Sequence, residues 1–216
     1  MRYVTVMQTM DPLSSSSGAA RSSPAADRNA DAILEVLRAA LPRQGRVLEI
    51  AAGTGQHAAR FAAALPGLVW TPTDASADAL SSIAAWRASA RADNLAAPIR
   101  LVVEDQASWP DGPFSAVVAI NLIHISPWAA TEALMAGAAR VLAPGGLLYL
   151  YGPYREADGP LAESNAAFDD SLRARDPAWG LRDRDAVIEA AKANGLAFTL
   201  RKAMPANNLS LLFRKV

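Results

Sequence analysis

A glycine-rich turn near residue 50 has the residue types and spacing of a ligand-binding loop. It reads Glu49-Ile50-Ala51-Ala52-Gly53-Thr54-Gly55-Gln56-His57-Ala58. Gly53, Gly55 and Ala58 satisfy the pattern G-x-G-x-x-G/A, in which glycine lets the backbone turn tightly and approach a ligand closely. The pattern suits a pyrophosphate and a bound adenosyl-methionine equally well, and a tight turn that binds nothing is a third interpretation.

Two acidic residues favour one of these ligands. Glu49 lies inside an apolar segment, where dehydrogenases usually carry only apolar residues, and its carboxylate could pair with the ammonium group of an amino-acid ligand. Asp74 follows the next apolar segment and could accept from both ribose hydroxyls, although dehydrogenases also use an acid there. Glu49 and the later turn Pro144-Gly145-Gly146 therefore favour the methyl donor S-adenosylmethionine. A buried carboxylate with a structural partner is the alternative for Glu49.

Candidate catalytic residues follow two later apolar segments. His124 comes just after segment 116–120, where ligands collect in open parallel sheets, and we interpret it as a general base or acceptor-positioning residue. Tyr151, at the end of segment 147–151, is the second candidate. Packing or one structural hydrogen bond is the alternative role for His124. His57 is interpreted as a cofactor-side residue.

Composition excludes several other functions. The 216 residues favour one domain, and without cysteine the chain has no disulfide, Cys-ligated zinc or Cys nucleophile. The two histidines are few for a metal site, and Asn121 stands where a hard cation would need Asp, so no metal is predicted. The 21 basic and 21 acidic residues balance, which disfavours a nucleic-acid partner.

The sequence predicts no membrane or export segment. No apolar run approaches the roughly 18 residues of a membrane span. Gln8, Thr9 and Asp11 interrupt the apolar residues at the N-terminus, so we expect no signal peptide and a cytoplasmic location. An organelle transit peptide is the weaker alternative. The Ser-rich residues 1–21 are predicted to form a flexible tail before a single domain, 22–216.

Apolar periodicity predicts alternating strands and helices. The predicted helices are 27–41, 56–65, 78–91, 127–142 and 183–194, and the predicted strands are 46–51, 68–73, 99–103, 116–120, 147–151, 196–204 and 208–215. Alternation indicates a doubly wound α/β sheet with helices on both faces. Only three residues separate the last two strands, so these must be antiparallel. A Rossmann-like, seven-stranded, mainly parallel sheet with a C-terminal antiparallel hairpin is the arrangement of class I methyltransferases.

Several longer segments resemble one family throughout residues 22–216. These segments are Ser23-Pro24-Ala25-Ala26-Asp27-Arg28-Asn29, Leu48 to His57, Asn121-Leu122-Ile123-His124-Ile125-Ser126-Pro127-Trp128, Leu150-Tyr151-Gly152-Pro153-Tyr154, Ser164 to Asp169, Ala174 to Gly180 and Pro205-Ala206-Asn207-Asn208-Leu209. Through them the sequence resembles the methyltransferase-like protein 26 family, also called the domain of unknown function 938.

The resemblance implies a cofactor site for S-adenosylmethionine. It places Glu49, Gly53 and Gly55 at the methionine end, Asp74 at the ribose, Asp105 with Gln106 at the adenine, and Asn121 at the sulfonium. Ala51 departs from the wider superfamily, where Gly is usual, so we expect a slightly altered loop. Arg28 and Asn29 open the first helix, which commonly covers the cofactor cleft in this fold; a solvated first turn capped by Asp27 is the alternative.

Residues 152–181 interrupt the alternation and are predicted to form a lid or acceptor-site insertion. The candidate acceptor residues there are Tyr154, Arg155, Asn165, Arg175 and Trp179, together with His124. Arginines could bind an anionic acceptor; alternatively Arg173 and Arg175 pair with acidic neighbours on a solvated helix.

The predicted function is S-adenosylmethionine-dependent methylation of a small molecule by a monomer or homodimer. Binding of the cofactor without catalysis is the first alternative, and an NAD(P)-dependent oxidoreductase is the second.

Overall fold

A computed structural model describes residues 14–15, 20–157 and 159–216. Within them one sheet contains seven strands: β1 (Gly45–Ile50), β2 (Leu68–Asp74), β3 (Ile99–Arg100), β4 (Phe114–Ile120), β5 (Leu142–Gly152), β6 (Leu196–Met204) and β7 (Asn208–Lys215). Their order is β6-β7-β5-β4-β1-β2-β3. β1 to β5 are parallel, whereas β7 runs antiparallel to both β5 and β6. The predicted fold class is confirmed.

Helices cover both faces of the sheet. They are α1 (Pro24–Ala40), α2 (Gln56–Ala64), α3 (Ala77–Ser89), α4 (Trp128–Val141), α5 (Glu163–Arg175) and α6 (Arg184–Ala193). Side chains of β1, β4 and β5 alternate between a core under α1 and α2, as Val118 does, and a core under α4 and α6, as Val117 does. Because both faces are covered, the central strands are almost continuously apolar. The carboxyl ends of the parallel strands thus form one edge that carries loops.

The third strand is shorter than its predicted span of 99–103. Only Ile99 and Arg100 pair with β2. The backbone N–H of Val102 donates to the Ser108 hydroxyl, at 3.0 Å, and that hydroxyl in turn donates to the Val102 carbonyl, at 2.9 Å. Ser108 therefore satisfies the backbone groups that a neighbouring strand would otherwise bind.

α5 lies inside segment 152–181, where apolar periodicity predicts no helix. Its buried residues are Asn165, Asp169 and Leu172, of which two are polar. An ordinary surface helix is held by a stripe of apolar residues, which gives its sequence a helical periodicity. Hydrogen bonds and ion pairs hold α5 instead, so its sequence lacks that periodicity.

α1 begins earlier than predicted. Pro24 occupies its first turn and Ser23 is its N-cap, so Asp27 is a first-turn residue rather than the cap. Pro24 needs no N–H partner there, and its fixed φ suits the first helical position. β5 also begins earlier than predicted, at Leu142, so its span includes the turn 144–146.

The chain before α1 packs against α3. Ala20 is buried, and the Arg21 N–H donates to the Ser82 hydroxyl at 2.9 Å. The Trp86 indole N–H donates to the Arg21 carbonyl at 2.7 Å. These last residues of the predicted tail thus contact the domain, whereas 1–13 and 16–19 lie outside the described residues. No helix in the described chain is long and apolar enough to cross a bilayer.

Candidate functional site

The turn after β1 contains three residues with left-handed backbone. Ala51, Gly53 and Gly55 have φ values of 53°, 59° and 85°. A Cβ on Gly55 would lie 2.8 Å from the Ile83 Cα, so the turn packs directly on α3. A Cβ on Gly53 would meet nothing within 4 Å, which leaves that side of the turn open. Ala51 keeps the left-handed conformation despite its Cβ, which costs roughly 1–2 kcal/mol.

Asp74 joins the end of β2 to this turn. Its Oδ2 accepts from the Gly53 N–H at 2.9 Å, and its Oδ1 accepts from the Ser76 N–H at 2.9 Å. The carboxyl group is buried, which raises its pKa, while these backbone donors oppose that rise. Asp74 is therefore held in one orientation beside the open side of the turn.

Glu49 is buried directly below the turn. Its Oε2 accepts from the Trp70 indole N–H at 2.6 Å. Burial raises the pKa of Glu49 to about 7; the Trp70 hydrogen bond lowers it and the charge of Asp74 raises it. A cationic group placed beside Glu49 would favour the carboxylate form, so the turn is suited to an ammonium group.

α1 contributes a hydrogen-bonded network at the same edge. Asn29 Oδ1 lies 2.7 Å from His57 Nε2, and the Asn29 side chain also hydrogen-bonds to the Tyr151 hydroxyl. His57 stacks on Phe61 with ring centroids 5.2 Å apart. Burial, followed by the charge of Arg60, lowers the pKa of His57 to about 4, so this ring is neutral near pH 7. The network joins α1, α2 and β5.

The other predicted cofactor residues are dispersed along this edge. Asp105 is exposed, and its carboxylate accepts from the Ala107 N–H at 3.1 Å. The Gln106 amide donates to the Ala133 carbonyl of α4 at 3.0 Å. Asn121 directly follows β4 and has φ 58°. Arg28 is exposed on the first turn of α1. Their cofactor contacts stay predictions.

His124 is enclosed just beyond Asn121. It is 1% exposed, and neither ring nitrogen has a hydrogen-bond partner among the described residues. A Cβ on Gly152 would lie 2.3 Å from His124 Nε2 and 3.1 Å from Asn121 Oδ1, so only glycine fits there. Burial, then the charge of Arg182, lowers the pKa of His124 to about 3. The imidazole is therefore neutral and a weak base in this state.

Segment 152–181 packs on the loop that holds His124. The Gly180 N–H donates to the His124 carbonyl at 3.0 Å, and the Tyr154 ring meets the His124 ring edge-on at 5.0 Å. The Tyr154 hydroxyl and Trp179 Nε1 are buried and have no hydrogen-bond partner in the described part of the chain. Unsatisfied buried polar atoms are rare. Here His124, Tyr154 and Trp179 all carry such atoms, and all three belong to segment 152–181 or to the loop on which it packs.

Most arginines of this segment have structural partners. Arg155 and Arg173 both bind the buried carboxylate of Asp169, and Arg175 lies over the Trp179 ring at 5.1 Å. Arg173 pairs with an acidic neighbour as the alternative of a solvated helix expected, but that neighbour, Asp169, is buried rather than solvated. Acceptor contacts of Arg155, Arg175 and Trp179 stay predictions.

A cavity of about 570 Å³ opens at the same edge of the sheet, beside the hairpin formed by β6 and β7. Tyr154 and Asn165 line it, as do Met204 and Leu209. The hairpin residues were not among the predicted site residues. Their only signal was the segment 205–209, which carries part of the family resemblance.

The sheet order and the acid–glycine turn define the fold of class I methyltransferases. The chain belongs to the family described as "Protein of unknown function (DUF938)", whose model matches residues 20–215.

Among the described residues, no group of three or more His, Asp or Glu side chains is arranged to hold a metal ion.

Solved structures share this fold at low sequence identity. A putative O-methyltransferase from Nostoc punctiforme has a TM-score of 0.74 and 17% identity, covering 86% of this chain and 55% of that one. A putative methyltransferase in complex with the Trm112 activator from Haloferax volcanii has a TM-score of 0.69 and 16% identity. The match covers 88% of this chain and 91% of that one. Magnesium protoporphyrin IX methyltransferase from Synechocystis, with bound SAH, has a TM-score of 0.66 and 13% identity. The match covers 87% of this chain and 82% of that one. This chain thus spans little more than half of the Nostoc protein.

Proposed function

We propose that this protein is an S-adenosylmethionine-dependent methyltransferase that acts on a small molecule. The observation that carries the proposal is the buried Asp74 carboxylate, fixed by the Gly53 N–H at 2.9 Å beside the open side of the turn. A fixed carboxylate can accept from two vicinal hydroxyls, as a ribose presents. Glu49 adds a buried acid suited to an ammonium group. These residues fit the ribose hydroxyls and the ammonium group of the cofactor.

The cofactor, when bound, supplies a methyl group on a positively charged sulfur. Held by Glu49 and Asp74, the cofactor would supply this methyl group to a lone pair of the acceptor, and the electrons of the broken carbon–sulfur bond would neutralise the sulfur. Such a displacement depends on alignment and exclusion of water more than on strong acid–base chemistry.

In this proposal the chain's residues bind and orient the reactants. Glu49 takes the ammonium group, Asp74 the ribose and Asp105 the adenine, with Arg28 and Gln106 beside the cleft. Asn121 lies at the reacting end because it directly follows β4, next to His124. His124 and Tyr151 hydrogen-bond to the acceptor once a rearrangement opens the enclosure of His124. A proton released by the acceptor passes to water or to the opened His124 ring, since the pKa of about 3 belongs to the enclosed ring.

Cofactor binding without catalysis is the second candidate function. The enclosure of His124, which is 1% exposed, favours it because an acceptor cannot reach a buried ring without a rearrangement. Detection of methyl transfer to any small acceptor excludes this candidate. We further propose a small-molecule partner, a cytoplasmic location and a monomer or homodimer.

The test is titration calorimetry with S-adenosylhomocysteine and, as a control ligand, NAD⁺. We expect binding of the first only. Asp74→Asn should weaken binding about tenfold or more, because hydrogen bonds to a charged group contribute about 1.5–3 kcal/mol each. Asp111→Asn, an exposed residue before β4, is the matched control and should bind normally. Equal affinities of the wild type and Asp74→Asn would contradict the proposed site.

A further inference from the structure

The cavity of about 570 Å³ is of a size that takes a small ligand. Its walls come from four separate parts of the chain: the described residues of the loop before α5, Asn165 of α5, Arg184 of α6, and residues 201–209 of the β6–β7 hairpin. A hydrogen bond fixes two of these walls relative to each other: the Asn165 amide of α5 donates to the Asn207 carbonyl of the β6–β7 turn at 3.0 Å.

The charged residues around the cavity neutralise one another. Arg201 donates to Glu156 through Nε at 2.9 Å and through Nη2 at 2.6 Å. Arg184 binds Glu156 as well, and its Nε donates to Asp185 at 2.8 Å. Both guanidinium groups of the lining are thus engaged by carboxylates, Glu156 within the lining and Asp185 outside it, so neither arginine faces an anionic ligand without an acid already bound to it.

The rest of the lining is apolar or amidic. Leu161, Met204 and Leu209 provide apolar walls, and Asn165 and Asn208 provide amide groups. Neutral hydrogen-bonding groups on an apolar surface recognise a ligand of the same kind, because a charged ligand would lose its hydration without an opposite charge to replace it.

Tyr154 connects this cavity with the candidate reaction site. It lines the cavity, its hydroxyl has no hydrogen-bond partner among the described residues, and its ring lies 5.0 Å from the His124 ring. His124 in turn lies beside Gly152 and Asn121 at the end of β4. The cavity and the end of β4 are therefore separated by little more than the two aromatic rings.

We propose that this cavity binds the methyl acceptor, and that the acceptor is an uncharged small molecule with an apolar body and a hydroxyl or carbonyl group. The Tyr154 hydroxyl, which is buried in the free protein, binds that polar group after its side chain rearranges. The assignment of the ligand as acceptor rests on the proposed methyltransferase function; the cavity and its preference for an uncharged ligand do not.

Three probes of equal size and different charge test the preference: 4-fluorobenzyl alcohol, 4-fluorobenzoate and 4-fluorobenzylamine. Binding is followed by fluorine NMR with the full-length protein, with and without S-adenosylhomocysteine. We expect the alcohol to bind at least about tenfold more tightly than either charged probe, since burial of an unpaired charge is costly.

Substitutions locate the probe. Ala203→Trp places a large side chain on the cavity wall and should abolish binding of the alcohol, whereas Leu200→Trp, at an exposed residue of the same strand, should not. Tyr154→Phe should weaken binding of the alcohol about five- to tenfold through the lost hydrogen bond. Its melting temperature should stay equal or rise, because the lost hydroxyl had no partner in the described chain.

The acceptor assignment has its own readout, an interligand nuclear Overhauser effect between the alcohol and the methylene protons beside the sulfur of S-adenosylhomocysteine. Binding of both ligands with this effect supports the proposal. Equal binding of the alcohol to wild type and Ala203→Trp, tighter binding of a charged probe, no binding of any probe, or simultaneous binding without the effect would overturn it. Failure of S-adenosylhomocysteine to bind alone would instead contradict the proposed function.

Discussion

The carboxyl group of Glu49 has an ionisation that a bound ligand would change. Its pKa of about 7 follows first from burial, which disfavours the charge, and the Trp70 indole N–H only partly offsets that effect. Near neutral pH a large share of the free protein therefore carries a proton on Glu49. An ammonium group beside it would expel that proton, because the pair is stable only with the carboxylate.

The affinity for S-adenosylhomocysteine should consequently rise with pH. Below the pKa of about 7, the release of one proton on binding raises affinity up to about tenfold per pH unit, and above it the affinity levels off. Calorimetry over about pH 5.5 to 8 measures this profile. Glu49→Gln cannot ionise and should give a flat profile. The same slope in both proteins would show that Glu49 does not face the ligand's ammonium group.

Ala51 is strained at the turn after β1. Its φ of 53° is a conformation that glycine adopts without a Cβ penalty. Ala51→Gly should therefore raise the free energy of unfolding by about 0.5–1 kcal/mol, after the entropic cost of glycine is subtracted. Ala52→Gly, at the next residue, is the matched control and should lower it by a similar amount. Urea unfolding measures both, and destabilisation by both substitutions would contradict strain at Ala51.

At the scale of elements, the sequence was informative wherever local pattern and structure coincide. Central strands such as β4 are apolar runs, and the turn around Gly53 is a local motif, so both could be predicted. β3 was too long in the prediction because Ser108 satisfies Val102, a contact that periodicity does not encode. Two lining residues of the cavity, Tyr154 and Asn165, were among the predicted acceptor residues, but its hairpin wall could not be foreseen, since Asn165 and Asn207 meet across 42 residues.

α5 depends on one buried carboxylate. Asp169 accepts from the Leu181 N–H at 2.7 Å and binds Arg155 and Arg173. Burial opposes the charge of Asp169, but these three donors outweigh it and lower its pKa, so it stays ionised. Asp169 thus ties α5 to Leu181, next to Gly180, whose N–H binds the His124 carbonyl.

Asp169→Asn should loosen this segment. Loss of the charge should lower the free energy of unfolding by about 2 kcal/mol, less than for a fully buried pair because both arginines are about half exposed. Hydrogen exchange should accelerate at residues 163–181. Asp170→Asn, the exposed neighbour on the same helix, should change neither quantity. Unchanged exchange in Asp169→Asn would show that the apolar contacts of Leu172 and Trp179 suffice.

On the scale of the whole molecule, a single sheet separates two cores, and each is bordered by a neutral histidine, of which His124 is buried and His57 is partly buried. His57 stacks on Phe61 in the core under α1 and α2, and His124 packs against Tyr154 in the core under α4 and α6. Burial lowers their pKa values to about 4 and about 3, from 6.5. Both imidazoles therefore bind a proton more readily in the unfolded chain than in the folded protein.

The global stability should fall as the pH drops from 6.5 to about 5, where the unfolded chain binds protons that the folded histidines do not. Glu49 acts oppositely, since its raised pKa makes the folded state bind the extra proton between 4.5 and about 7. The two histidines together bind more protons on unfolding than Glu49 releases. The free energy of unfolding therefore falls by about 1 kcal/mol for each pH unit of acidification. Glu49→Gln should roughly double this slope, and His57→Gln should nearly remove it. Urea unfolding at several pH values measures all three, and identical slopes would show that other groups govern acid sensitivity.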